Sequence, residues 1–290
     1  MILIAGGTGR LGTILVDLKS GDDEVRVLSR HAGNATERRA GVQLVPGDVR
    51  DRQSLGRAVD GAQTVVSAIT GFGMARDVSP ASVDRDGNAN LIQAAKSAGV
   101  QHFVLVSVRQ AAADHPIELF RMKYEAEQEL RRCGLGGTVV RPSAYMETWV
   151  ELLGVPLQRK HRTRVFGRGE NPINFVSVRD VARVVHDAAG DPPSRVRAVD
   201  VGGPENVTMN GIVERFSAMT GASGKVAHVP LPMMRVMSRA MKPVSPALAR
   251  VVATAVVMDT ADMSFDPASS IGPSQVTGET TLRDVMEHLS

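Results

Sequence analysis

The sequence predicts an α/β protein built on a doubly wound parallel sheet. Short apolar segments alternate with amphipathic helical segments along the first half of the chain. A glycine-rich turn also joins the first apolar segment to the first helical one. Strands of a sheet covered on both faces read as nearly continuous apolar runs, and residues 64–70 are such a run. Ligands of this fold class bind where the strands end at their carboxyl side.

The first strand leads directly into the motif Gly7-x-Gly9-x-x-Gly12, and a helix follows with Leu11, Leu15 and Leu18 predicted on one face. Glycines in this context allow a tight turn, a close approach of the backbone to a pyrophosphate and close packing of helix on strand. The pattern is typical of a Rossmann-type dinucleotide site. A glycine turn without a ligand is the alternative. The predicted cofactor residues of the turn are Gly6, Gly7, Thr8, Gly9, Arg10, Leu11 and Gly12.

The end of the second predicted strand, residues 24–30, indicates which dinucleotide is bound. An acidic residue there accepts hydrogen bonds from the adenosine ribose, whereas a basic residue pairs with a 2′-phosphate. This chain has Ser29-Arg30 there, and Arg10 adds positive charge in the glycine turn. We therefore expect NADP(H) to be preferred over NAD(H), the alternative being that Arg30 is an ordinary solvated arginine.

The ends of three further predicted strands supply additional candidate cofactor contacts. These strands are residues 42–49, 64–70 and 137–142. Asp48 either accepts a hydrogen bond from the adenine amino group or caps the helix that begins near residue 51. The candidate contacts are Asp48, Val49, Ala68, Ile69 and Pro142.

Beyond about residue 151 the alternation weakens, which predicts two regions. A dinucleotide-binding core is predicted at residues 1–150, with residues 174–203 returning to it. Residues 151–173 and 204–290 are predicted to form a smaller substrate or lid lobe. Its methionines either line a ligand or belong to an ordinary core; they are Met233, Met234, Met237, Met241 and Met258.

Composition argues against several classes of function. Aromatic residues make up only 3% of the 290 residues, so a nucleic-acid surface of stacked bases is not expected. The seven histidines are dispersed and no metal-ligand spacing occurs, so we predict no metal. No apolar run is long enough to span a bilayer. A lone cysteine, Cys133, and a first strand that starts at Met1 favour a cytoplasmic protein.

The chain resembles the atypical, extended-type short-chain dehydrogenase/reductases, especially the NmrA-like and NAD(P)H-quinone-reductase-like group. The resemblance covers nearly the whole chain and rests on six stretches. They are residues 5–12, residues 87–107, Lys123 with Glu127, residues 138–142, residues 175–182 and residues 202–205. It implies the same dinucleotide-binding fold and hydride transfer from the cofactor.

One departure from the wider superfamily concerns catalysis. Its enzymes use a Tyr-x-x-x-Lys pair, and if Lys123 is that lysine, Leu119 stands where the tyrosine would be. Lys123 then anchors the ribose or donates a proton, unless it is a solvent-facing helical lysine. Ser107 ends the fifth predicted strand, residues 102–107, at the catalytic edge of the sheet, or its side chain only hydrogen-bonds the backbone. Tyr145 either supplies a phenol to the nicotinamide pocket or has only a packing role.

Two functions remain open at this stage. The first is a reductase that passes hydride from NADPH to a small apolar quinone or conjugated carbonyl, because such acceptors can take their proton from water. The second is a non-catalytic protein that binds the dinucleotide and acts as a redox sensor or an assembly factor through a protein partner. Leu119 favours the second, and an enclosed methionine-rich pocket would favour the first.

Overall fold

The computed structural model describes residues 1–21, 24–30, 41–75, 77–266, 268 and 274–289. Two compact units account for its contacts. The first contains Met1–Phe72, Arg76–Arg141 and Val181–Asp200. The second contains Gly73–Ala75, Pro142–Asp180 and Val201–Ser290. The predicted boundary near residue 150 stays a prediction.

The regular elements follow one another in this order along the chain. The strands are β1 (Ile2–Ala5), β2 (Val25–Ser29), β3 (Val42–Pro46), β4 (Thr64–Ser67), β5 (His102–Val106), β6 (Gly137–Pro142), β7 (Ala144–Tyr145), β8 (Arg162–Phe166), β9 (Ile173–Val176), β10 (Arg197–Gly202), β11 (Asn206–Val207), β12 (Lys225–Val229) and β13 (Ser274–Thr277). The helices are α1 (Arg10–Lys19), α2 (Arg52–Val59), α3 (Asp86–Ser97), α4 (Glu118–Cys133), α5 (Met146–Lys160), α6 (Val178–Gly190), α7 (Met209–Thr220), α8 (Leu231–Ala240), α9 (Pro246–Thr260) and α10 (Leu282–Leu289).

The main sheet has eight strands in the order β13-β10-β6-β5-β4-β1-β2-β3. The pairs from β3 through β1 to β6 are parallel, and β1 pairs with β2 at Ile2–Val25 and with β4 at Ile2–Thr64. The chain winds from β1 to β3 in one direction and then from β4 to β6 in the other. The predicted doubly wound parallel sheet is thereby confirmed, and its direction reverses between β1 and β4, where ligands of such sheets bind.

Burial explains why these segments form central strands. Every residue of β1 and β5 is buried, as expected for strands covered on both faces. Helix α1 buries Leu11 and Leu15, but Leu18, predicted on the same face, is 39% exposed. The buried face of α1 also includes Gly12, Val16 and Lys19, so its centre lies about a quarter-turn away from Leu18.

Two strands are shorter than predicted. Strands β3 and β4 end at Pro46 and Ser67, so Asp48-Val49 and Ala68-Ile69 lie in the loops that follow. Helix α3 is directly preceded by a π-helical turn, Ala81–Arg85. Such turns often occur at functional sites.

The second unit contains two small sheets, ordered β11-β9-β7 and β12-β8. Its largest core packs Phe175 and Phe216 among aliphatic side chains of α5, α7 and α10. The methionines are divided between core and surface. Met234 and Met258 are buried within two different core clusters, whereas Met233 is 52% exposed.

Candidate functional site

The glycine turn between β1 and α1 requires glycine at two positions. Gly6 has φ +87°, and a Cβ there would lie 2.5 Å from the carbonyl oxygen of Ala68. A Cβ on Gly12 would lie 2.0 Å from the carbonyl oxygen of Gly6, so Gly12 lets α1 pack against the turn. The left-handed residue is therefore Gly6, which stands before the three-glycine motif. Helix α1 begins after Gly9, which has no side chain to cap it, so its first N–H groups can face an anion.

A cleft of about 250 Å³ lies over this turn within the first unit. It brings together the turn and the loops after β2, β3 and β4, as expected at the point where the winding reverses. Eight of the predicted cofactor residues line it: Gly6, Thr8, Gly9, Arg30, Asp48, Val49, Ala68 and Ile69. Gly7, Leu11 and Gly12 are instead buried behind the turn, and Pro142 is buried at the end of β6. Arg10 is the first residue of α1.

Asp48 is held by an arginine that the sequence did not single out. The Arg50 guanidinium donates from Nη2 to Oδ2 of Asp48 at 2.7 Å and from Nε to Oδ1 at 3.1 Å. Its Nη1 donates to the carbonyl oxygen of Asp77 at 2.7 Å. Hydrogen bonds from the Arg50 side chain, with a smaller contribution from the charge of Arg30, hold the pKa of Asp48 below 3.8. The cleft thus combines two guanidinium groups with one neutralised carboxylate.

The alternative that Asp48 caps α2 is wrong. Asp51 is the N-cap residue, and its Oδ1 accepts the backbone N–H of Gln53 at 3.0 Å. Arg50 could have been identified from its position in the sequence, because it follows Asp48 by two residues at the carboxyl end of β3. An arginine there lies beside the residue after β2, because β2 and β3 are parallel neighbours.

Lys123 is buried, only 4% exposed, on the inner face of α4. Its Nζ donates to the carbonyl oxygens of Ile69 and Val106, each at 2.9 Å, and lies 3.1 Å from Oδ1 of Asp84. The solvent-facing alternative is therefore wrong. The ammonium group thus donates two hydrogen bonds and forms an ion pair with Asp84. It joins the loop after β4 and the end of β5 to the turn before α3.

Asp84 belongs to the π-helical turn Ala81–Arg85 and is fully buried. Its Oδ2 accepts the backbone N–H of Gly71 at 2.8 Å, in the loop after β4. The carbonyl oxygen of Asp84 accepts from the side chain of Asn88, which in turn accepts from the hydroxyl of Ser67 at 2.5 Å. A buried polar network therefore fixes the backbone beside the cleft, and the sequence analysis missed its acidic member.

Ser107 donates its hydroxyl proton to Oε1 of Glu127 at 2.5 Å. Glu127 is fully buried and also accepts from Arg141, from Nε at 2.9 Å and from Nη2. The backbone N–H of Ser107 donates to the carbonyl oxygen of Val140 at 2.8 Å. The expectation that Ser107 only hydrogen-bonds backbone is wrong, because its side chain bonds Glu127. Burial raises the pKa of Asp200, which lies 4.0 Å from Arg141 in the same cluster.

The other two residues discussed for proton transfer lie in different surroundings. Leu119 is half-buried in the first turn of α4, one turn before Lys123. Tyr145 belongs to the second unit and directly precedes α5. Burial, and to a lesser extent the carboxylate of Glu147, raises the pKa of the Tyr145 phenol, so it stays protonated at neutral pH.

The described residues contain no group of three or more His, Cys, Asp or Glu side chains placed to hold a metal ion. None of the helices formed by these residues combines the length and the apolar character that crossing a membrane requires.

Comparisons with known proteins connect this site to a family. The chain is 31% identical to the NAD(P)H azoreductase of Xenophilus azovorans over 76% of this chain and 74% of that protein. It is 27% identical to the photosystem II assembly factor Ycf39 of Trieres chinensis, over 82% and 75% of the two chains. An NADPH-dependent quinone oxidoreductase of Escherichia coli, solved with NADPH, has the same fold, with a TM-score of 0.75 at 20% identity over 100% and 99%. The NmrA-like family matches residues 1–281, so the chain belongs to the NmrA-like family of NAD(P)-binding Rossmann proteins.

Proposed function

We propose that this protein is an NADPH-dependent oxidoreductase whose acceptor is a small apolar quinone or conjugated carbonyl. The observation that carries the proposal is that Arg30 and Arg50 line the same cleft as the glycine turn. NADPH supplies the hydride from its nicotinamide ring when it is bound. The relatives named as NAD(P)H azoreductase and NADPH-dependent quinone oxidoreductase support this type of reaction.

The preference for NADP(H) rests on the charges of the cleft. A site for NAD(H) presents a carboxylate that accepts from the ribose 2′-hydroxyl. Among the described residues that line this cleft Asp48 is the acidic one, and Arg50 holds both of its oxygens. The guanidinium of Arg30, with part of the Arg50 guanidinium, then offers donors in the planar geometry that suits a phosphate.

The acceptor class follows from the protons that the candidate residues of the first unit have available. Leu119 has no proton to give, Lys123 donates to two carbonyl oxygens and pairs with Asp84, and Ser107 donates to Glu127. A simple ketone needs a proton from the enzyme as hydride arrives, whereas a quinone can take its proton from water. The site therefore favours acceptors that are easily reduced and need little acid catalysis.

The second candidate is a non-catalytic NAD(P)-binding redox sensor or assembly factor. The same engaged groups favour it, since Lys123 and Asp84 hold the backbone beside the cleft and transfer no proton. The similarity to an assembly factor of photosystem II supports it as well. In this case the cofactor stabilises the fold of the first unit, and a protein partner binds this protein according to whether the cofactor is bound.

An NADPH-oxidation assay over a panel of acceptors distinguishes the two candidates. The panel contains benzoquinones and naphthoquinones, an azo dye and a simple ketone, and Gly12→Ala serves as the variant with a damaged cofactor site. We expect enzyme-dependent oxidation with quinones, little with the ketone, and the uncatalysed rate with Gly12→Ala. Tight NADPH binding with no turnover above the uncatalysed rate for any acceptor would contradict the reductase and favour the non-catalytic protein.

A further inference from the structure

Helix α8 of the second unit presents apolar side chains to solvent. Met233 is 52% exposed and Val236 is 65% exposed, while Val244, in the turn after the helix, is 76% exposed. Met233 and Val236 are three residues apart, so they are neighbours on one side of the helix. Large apolar residues exposed together mark interaction sites more often than single ones do.

The inner side of α8 is already packed, which fixes the orientation of the exposed side. Met234 is fully buried in a small core with Val252 and Ala255 of α9, and Met237 packs against this core. Rotating the helix to bury Met233 and Val236 would expose Met234. The exposed apolar side chains of α8 therefore cannot be explained as part of the side that packs in the core.

Positive charge accompanies these apolar residues. Arg235, Arg239 and Lys242 are exposed, and no carboxylate in the described part of the chain lies within ion-pair distance of them. The sequence contains no Asp or Glu at all between Glu214 and Asp259. Like charges four residues apart, as in Arg235 and Arg239, destabilise an isolated helix, so this arrangement does not serve the stability of α8.

We infer that this surface, the α8 surface, docks onto an anionic lipid surface. It consists of Met233, Arg235, Val236, Arg239, Lys242 and Val244. A helix with apolar residues on one side and flanking cations lies in the interface of a membrane, with the apolar side chains in the acyl boundary and the cations among the anionic headgroups.

The composition of the α8 surface distinguishes this occupant from others. A second copy of the chain on a two-fold axis would place the cations of one α8 surface against those of the other, with no carboxylate in this surface to pair with them, which is repulsive. A single nucleic-acid strand binds by stacking on aromatic side chains, and α8 has none. The centres of protein interfaces are also enriched in aromatic residues. Isolated methionine and valine side chains between cations match the headgroup region of a membrane instead.

The test is sedimentation of the full chain with lipid vesicles. Vesicles of phosphatidylcholine alone are compared with vesicles that also contain phosphatidylglycerol, at low and at high salt. We expect binding only to the anionic vesicles, and weaker binding at high salt. Each cation near such a surface contributes roughly fivefold in partition coefficient, so the triple variant Arg235→Gln, Arg239→Gln, Lys242→Gln should lose about a hundredfold.

Two further variants test whether binding to vesicles depends on the α8 surface in particular. A control that removes three exposed cations elsewhere, Arg57→Gln, Arg131→Gln, Arg132→Gln, has the same net charge and should bind as the unmodified chain does. The variant Met233→Ser, Val236→Ser alters only exposed positions and should also lose binding. An unchanged melting temperature and an unchanged circular dichroism spectrum confirm that each variant is folded.

Four outcomes would overturn the inference. They are no binding to anionic vesicles, equal binding to neutral vesicles, equal losses in the triple variant and its charge-matched control, and full binding by Met233→Ser, Val236→Ser. Retention of the chain on immobilised polyglutamate without any vesicle binding would assign the surface to an acidic protein instead. Because the assay needs no cofactor or acceptor, its result is independent of the proposed reductase activity.

Discussion

Lys123 and Asp84 form an ion pair with 3.1 Å between Nζ and Oδ1, and both side chains are almost completely removed from solvent. The pair joins α4 to the π-helical turn before α3, while the same ammonium group donates to carbonyl oxygens in the loop after β4 and at the end of β5. The lysine for which the family resemblance suggested a catalytic role therefore fixes the backbone beside the cleft in this structure, and its catalytic role stays a prediction.

Removing one member of this pair should destabilise the protein strongly. Lys123→Met leaves the Asp84 carboxylate buried without its cation, which costs about 3–5 kcal/mol of unfolding free energy. The double variant Lys123→Met, Asp84→Asn should cost less than the sum of the single variants. Chemical denaturation measures all three, with removal of the exposed pair Arg283–Glu287 as a control that should change stability little. A Lys123→Met variant as stable as the control would contradict this role.

Gly12→Ala should disrupt the cofactor site. The added Cβ would lie 2.0 Å from the carbonyl oxygen of Gly6, so the turn and α1 must separate. We expect NADPH affinity to fall by more than about tenfold, together with a loss of about 1–3 kcal/mol of stability. Gly56→Ala is the matched control, because a Cβ at Gly56 in α2 meets nothing within 4 Å. An unchanged cofactor affinity in Gly12→Ala would show that the turn does not hold the dinucleotide.

Arg30→Ala should weaken NADPH binding far more than NADH binding. The guanidinium is expected to pair with the 2′-phosphate, a group that NADH lacks. Titrations with 2′,5′-ADP and 5′-ADP isolate this end of the cofactor from the nicotinamide. An equal loss of affinity for 2′,5′-ADP and 5′-ADP would mean that Arg30 does not bind the 2′-phosphate.

Arg50→Gln should also reduce the selectivity for NADPH, and for two reasons. It removes a cation from the cleft, and it leaves the Asp48 carboxylate unpaired, where it repels a phosphate. Adding Asp48→Asn to Arg50→Gln should therefore restore part of the selectivity. If the double variant is no better than the single one, released Asp48 is not the cause of the loss.

The ion pair of Asp48 makes a pH-dependent contribution to stability. Because the Arg50 side chain lowers the folded-state pKa of Asp48 below 3.8, the contribution is fully present above that value. It is lost as the pH falls through the folded-state pKa. The stability difference between the unmodified chain and Asp48→Asn should be constant near neutral pH and shrink below about pH 4. A difference that does not change with pH would contradict the ionised pair.

The features that local sequence determines were predictable. The glycine motif required a strand before it and a helix after it, and β1 and α1 are found there. Strand β6 has the predicted bounds because its apolar run is delimited by Gly137 and Pro142. The charge at the end of β2 likewise placed Arg30 at the cleft.

The features that were missed depend on contacts between distant segments. Nothing local to Asp84 shows that a π-helical turn directs its carboxylate towards Lys123. For Lys123 the sequence left open a site residue or a solvent-facing lysine, because only the packing of α4 against the sheet decides between them. Arg50 could have been noticed from its position, but its bidentate contact with Asp48 depends on the conformation of the loop after β3.

The most direct test of the proposed cofactor site is a titration of the purified protein with NADPH and with NADH, followed by cofactor fluorescence. The arrangement of the glycine turn, Arg30 and Arg50 around one cleft predicts saturable binding of both, with NADPH bound at least about tenfold more tightly. Binding of neither, or tighter binding of NADH, would contradict the assignment of the cleft as an NADP(H) site.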